Sequence, residues 1–83
     1  MERGGWRKLL QVICHTSSRE DERPVKFRIE ADWIQIERVL SAWLERGAGQ
    51  DDPVWRVFEV ESELGLVYLR VAVDGWVWEY RPA

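Results

Sequence analysis

Cys14 and His15 are the only thiol and the only imidazole in this 83-residue chain, and thiol and imidazole are the groups from which a zinc site or a nucleophile–base pair is most readily built. Zinc takes four ligands, or three and an open position. A cysteine nucleophile needs its imidazole within hydrogen-bond reach. Neighbouring residues on a strand point to opposite faces, so this pair converges neither on a metal nor on a substrate. Cys14 reads as packing, because a free cysteine behaves as a small apolar residue, and His15 as a loop-edge residue. Carboxylates are plentiful, with 15 Asp and Glu, and Glu59 and Glu61 would share a strand face as a two-carboxylate hydrolase requires. Acids this abundant are mostly solvated surface. No Gly-rich phosphate loop or dinucleotide fingerprint is present, and so short a chain has little room for a walled pocket of roughly 300 Å³ or more. The expectation is a protein with no catalytic residues, no metal and no cofactor.

A second chemistry is base stacking combined with phosphate neutralisation, which needs Lys or Arg interleaved with aromatics on one sheet face. Lys26 and Arg28 alternate on one strand, and Arg56 follows Trp55; these three are the candidate nucleic-acid contacts. The net charge of −3 and a pI near 5.1 set the long-range field against a polyanion or a membrane surface. Single-stranded nucleic-acid binding is therefore the alternative function, not the first.

These residues must be positioned by a small fold. A chain of this length forms one domain, here residues 1–83, and hides only about 60% of its unfolded surface. Six Trp residues supply much of what can be buried, at roughly 150–250 Å² for each large aromatic. The lone cysteine, the polar start from Met1 to Lys8 and the lack of any run of about 18 apolar residues point to a reduced, cytoplasmic protein without a secretion signal or membrane span.

The clearest local pattern is Leu66–Val73, then Asp74-Gly75, then Trp76–Tyr80. Asp-Gly between two β-prone runs predicts a two-residue hairpin turn. Counting outward sets Val73 against Trp76, Val71 against Trp78 and Leu69 against Tyr80 on the core side. On the other side Arg70 meets Glu79 and Tyr68 meets Arg81, so burial and charge agree on one register. Val54–Glu61 is a further strand that adds Phe58 and Val60 to the core side. Its other side, with that of the hairpin, carries Trp55, Val57, Tyr68, Ala72 and Val77, too apolar to be left in water. Either the sheet curls or the N-terminal segment packs there, or these five residues form an interaction face for a protein partner or for self-association.

Val25–Glu30 alternates strictly and predicts a strand. Lys8–His15 predicts a first strand, and Thr16–Arg23 and Gly47–Asp52 predict loops. Residues 32–46 are ambiguous. As a helix, Asp32 caps it, Gln35 completes a capping box, Trp33, Ile36, Leu40, Trp43 and Leu44 form a stripe, and Gly47 ends it. As a strand, an Ala31-Asp32 turn sets Ile34 against Ile29 and Ile36 against Phe27. Periodicity slightly favours the helix.

Arg23-Pro-Val-Lys-Phe-Arg-Ile29, the spacing to Ile36-Glu-Arg-Val-Leu-Ser-Ala-Trp43, then Trp55-Arg-Val-Phe58, Gly65-Leu-Val-Tyr-Leu69 and Gly75-Trp-Val-Trp78 resemble a family of small bacterial domains of unknown function. They are also similar to segments at the C-terminal end of inactive polymerase-like mutagenesis proteins of the Y family. The resemblance runs from about residue 8 to 82 on short strand patterns. It implies a β-meander, a strand over Ile34–Val39 and an accessory role near DNA repair or lesion bypass; no functional residue carries over. The chain departs from that pattern in having Glu30-Ala-Asp32 where a Gly-containing turn is usual. Together these readings predict a mainly β fold, a small antiparallel meander or partly open barrel of five or six strands. The alternative is α+β, with one helix at about 32–46 packed on an antiparallel sheet. Function is expected to be that of a non-catalytic accessory or protein-interaction module.

Overall fold

A computed structural model describes residues 5–15 and 22–83. Seven strands form one antiparallel sheet: β1 (Arg7–Lys8), β2 (Gln11–His15), β3 (Arg23–Ile29), β4 (Asp32–Arg46), β5 (Val54–Ser62), β6 (Gly65–Ala72) and β7 (Trp78–Pro82). Their order is β1-β7-β6-β5-β4-β3-β2, curled into an open half-barrel. Most of the loop expected over Thr16–Arg23 lies outside the described residues. Among the described residues no helix is long and apolar enough to cross a membrane.

The count exceeds the expected five or six because the first strand divides. Arg7 and Lys8 pair with Tyr80 and Glu79 at one edge, and Gln11–His15 pair with β3 at the other. Leu9 bridges the two, its N–H bonded to the carbonyl of Trp78 at 2.8 Å. Consecutive segments thus occupy both margins of the sheet, which is feasible only if the sheet curls. The ring of Phe27 on β3 likewise reaches that of Tyr80 on β7, at 6.2 Å between centroids, although three strands separate them in the sheet order. Inside the curl Phe27, Val60 and Leu69 have no exposed surface, and Leu9, Ile34, Phe58, Val67, Val71 and Trp78 surround them. Phe58 and Trp78 stack at 5.7 Å.

The register of β6 with β7 follows the alternation of the sequence: Leu69 faces Tyr80, Arg70 faces Glu79 and Val71 faces Trp78. The turn itself is wider than Asp74-Gly75. Gly75 N–H bonds to the Ala72 carbonyl at 3.0 Å, while Val73 N–H stays with Val54 of β5. β6 therefore follows β5 to its start, β7 is taken up by β1, and Trp76 swings out to 82% exposure instead of joining the core. At the β5–β6 turn, Gly65 takes the left-handed φ of 95° that a side chain resists. The Ser62 hydroxyl there donates to the Gly65 carbonyl and accepts from Leu64 N–H.

The helix alternative at 32–46 is overturned, because this segment is the longest strand, running well past the Ile34–Val39 implied by the resemblance. The turn preceding it is Glu30-Ala31 rather than Ala31-Asp32, with Ile29 opposite Asp32 and Phe27 opposite Ile34. A two-residue shift keeps every side chain on its expected face. The helical appearance has a physical origin in two irregularities against β5, between Ile36 and Arg38 and between Val39 and Ser41. Each bulge inserts an extra residue, so the core-side positions become Ile34, Ile36, Val39, Ala42 and Leu44. Spacings of three interrupt the spacings of two and imitate a helical stripe.

Candidate functional site

The outer side of the sheet collects four of the five residues expected to form an interaction face. Trp55 pairs with Ala72, Val57 with Arg70 and Glu59 with Tyr68; Val77 lies in the β6–β7 loop, 55% exposed. The guanidinium of Arg70 is held between two indoles, 3.8 Å from the Trp55 centroid and 4.1 Å from that of Trp6. Arg81 follows at 5.3 Å from Trp6 and 5.6 Å from Tyr68, and Tyr68 meets Trp43 edge to face at 6.2 Å. Stacking of this kind satisfies the charge and shields the rings together. Trp6, from the N-terminal segment, thereby helps close the face, and Val57 is left 3% exposed, with almost nothing to present to a partner.

Lys26, Arg28 and Arg56 do not come together. Lys26 Nζ stands 5.0 Å over the Trp33 ring and Arg28 Nε donates to the Glu30 carbonyl at 2.9 Å, both on the outer side. Arg56 falls opposite Leu44 and Val71, residues of the inner side. Glu59 and Glu61 are likewise engaged, Glu59 accepting from the Ser41 hydroxyl at 3.2 Å and Glu61 pairing with Arg38 at 3.0 Å. Cys14 is half-buried against the core, and His15 is exposed. Burial first, and then the charge and hydrogen bond of Glu22, push the Cys14 thiol up to about 12, which keeps it protonated and a poor nucleophile. Among the described residues no group of three or more His, Cys, Asp or Glu could hold a metal.

The feature that sequence reasoning missed is an edge in the middle of the sheet. β4 pairs with β3 only from Asp32 to Gln35, and with β5 from Ile36 to Arg46. Among the described residues no strand is paired with the other side of Ile36–Arg46. Gly47 N–H bonds to the Pro53 carbonyl, and the register is regular from Ser41 to Arg46. By the alternation of an antiparallel ladder, Ser41, Trp43 and Glu45 direct their backbone groups to β5, while Ala42, Leu44 and Arg46 direct theirs to the free side. Every residue from Leu40 to Arg46 is exposed, Leu44 by 64%, Leu40 by 42% and Trp43 by 38%. Beside this edge runs a groove of about 500 Å³ lined by Val39, Ala42, Leu44 and Phe58, with Glu22, Arg23 and Arg56 also on its walls. The signal was present in the sequence as Leu40, Trp43 and Leu44, but it was absorbed into the stripe of a helix.

Comparison with protein-family models, with curated proteins and with solved structures finds no match. Function therefore has to be read from this geometry.

Proposed function

We propose that the protein is a non-catalytic interaction module that captures another polypeptide along the free edge of β4. The observation that carries this reading is the run Ser41–Arg46, regular, exposed and, among the described residues, paired on one side only. Natural sheets guard such edges with bulges, proline, lysine or very short strands, because unpaired N–H and C=O groups template a further strand. This sheet guards its other margins in that way. β1 has two residues, and β2 has five with a register shift opposite Pro24. The bulges of β4 stop short of Ser41, leaving Trp43 and Leu44 beside outward backbone groups.

The engagement of Glu59 and Glu61 and the protonated state of Cys14 support a non-catalytic role. The lone thiol fits the reducing cytoplasm, and the resemblance to the polymerase-like mutagenesis proteins supports an accessory place near DNA repair or lesion bypass. The test is affinity capture with nuclease present, comparing the natural chain with Ala42→Pro. Proline at 42 removes an outward N–H and spares the β5 ladder, as proline on an edge strand does. A polypeptide retained by the natural chain and lost with Ala42→Pro supports the module. Polypeptides retained equally by both, or lost when nucleic acid is digested, overturn it.

A further inference from the structure

The free edge of β4 is self-complementary, and we infer that its occupant is a second copy of this chain. The inference rests on reading that edge as the docking surface. Two antiparallel edges can meet about a two-fold axis normal to the sheet, and the axis must then pass a residue that faces itself, so that inner sides stay with inner sides. Centred on Trp43, the pairing sets Ala42 against Leu44 of the other copy and Leu44 against its Ala42. These are the residues whose N–H and C=O groups point away from β5, so both pairs exchange hydrogen bonds in each direction.

Trp43 would face its own counterpart as a pair without backbone hydrogen bonds, the arrangement of closest side-chain approach. Glu45 falls across from Ser41 and Arg46 across from Leu40, so no like charges oppose one another, a condition that an arbitrary two-fold pairing of a charged strand does not meet. The N-terminal end of β3, at Glu22 and Arg23, lines the same groove as Val39 to Leu44. The register with β5 is unbroken from Ser41 to Arg46, and this is the run a second copy would extend. The joined sheets would be continuous across the two molecules, with Leu44 of each covered by the other.

Sedimentation of the natural chain over a concentration series, alongside Leu44→Lys and Ala42→Pro, tests this. The expected mass is about twice the 9.9 kDa of one chain for the natural protein and that of one chain for both variants, each with a cooperative urea transition showing that it is folded. A natural chain that sediments as a monomer throughout, or a dimer that persists in both folded variants, overturns the inference. The register is tested separately in a Cys14→Ser background. Trp43→Cys should oxidise to a covalent dimer, since directly opposed positions without hydrogen bonds lie about 4.5 Å apart, within the span of a disulfide. Ser41→Cys, two positions off the axis, should not, and equal cross-linking of the two overturns the register. A monomeric natural chain that still captures a different polypeptide, lost with Ala42→Pro, would refute self-association alone and leave the edge as the site.

Discussion

Arg70 meets Glu79 across the β6–β7 ladder at 2.7 Å, with each side chain only 19% exposed. Trp55 and Trp6 pack on the same guanidinium, so one cation joins the outer side of β5, the N-terminal segment and β7. Removing a partner from such a pair leaves a charge with little water to take its place.

Arg70→Ala should therefore destabilise the fold by about 3 kcal/mol, the range for breaking a mostly buried pair, read from urea unfolding. Arg70→Lys keeps the charge and loses the planar stacking between indoles, and should cost about 1 kcal/mol. Trp6→Ala combined with Arg70→Ala should cost less than the sum of the two, because both remove the same contact. Full additivity would mean that Trp6 does not cover this face.

Leu69 and Phe27 stand at the centre of the curl with no exposed surface. Leu69→Ala should cost about 2–5 kcal/mol and Phe27→Ala about 3–5 kcal/mol. Against a total of roughly 5–15 kcal/mol for a domain, Phe27→Ala removes a large share of stability and also frees the Tyr80 ring that holds β3 near β7. Thermal unfolding followed by near-ultraviolet circular dichroism would report both effects.

Cys14 gives a pH dependence with a definite sign. Its thiol, near 9.0 in the unfolded chain, is pushed up to about 12 by burial and by Glu22, so the folded state holds the proton more tightly. This contribution is intact below pH 9 and is lost as pH rises toward 12. The stability of the natural chain relative to Cys14→Ser should accordingly hold steady up to about pH 9 and decline above it in urea titrations. Alkylation by iodoacetamide at pH 8 should be slow in the folded protein and faster in Glu22→Gln.

Glu30 holds a φ of 54° in the β3–β4 turn, a left-handed conformation that costs a side-chain-bearing residue roughly 1–2 kcal/mol. Glycine adopts it freely but loses more chain entropy on folding. Glu30→Gly should thus stabilise by up to about 1 kcal/mol, a rise of roughly 4–8 °C in Tm for a domain of this size, measured by calorimetry.

Much of the fold could be read from the residues in order. Val25–Glu30 alternates because Phe27 and Ile29 turn to the core, and the β6–β7 register followed from aliphatic pairs and the Arg70–Glu79 pair choosing the same alignment. The covering of the outer face was half legible. Its apolar residues demanded a cover, but no local pattern showed that Trp6 would reach Arg70, some sixty residues away in the chain.

The sequence by itself determined the strand-rich class, most strand positions and which side of β5, β6 and β7 turns inward, since these depend on the two-residue period of each strand. Only the tertiary structure decided the course of β4. Its bulges form against β5, so the spacing of Trp33, Ile36, Leu40, Trp43 and Leu44 is helical in the sequence and becomes a strand only with its partner in place. The free edge has the same origin. Which strand remains unpaired depends on where β3 stops pairing and how far the sheet curls, and both are set by contacts such as Phe27 with Tyr80 between residues distant in sequence.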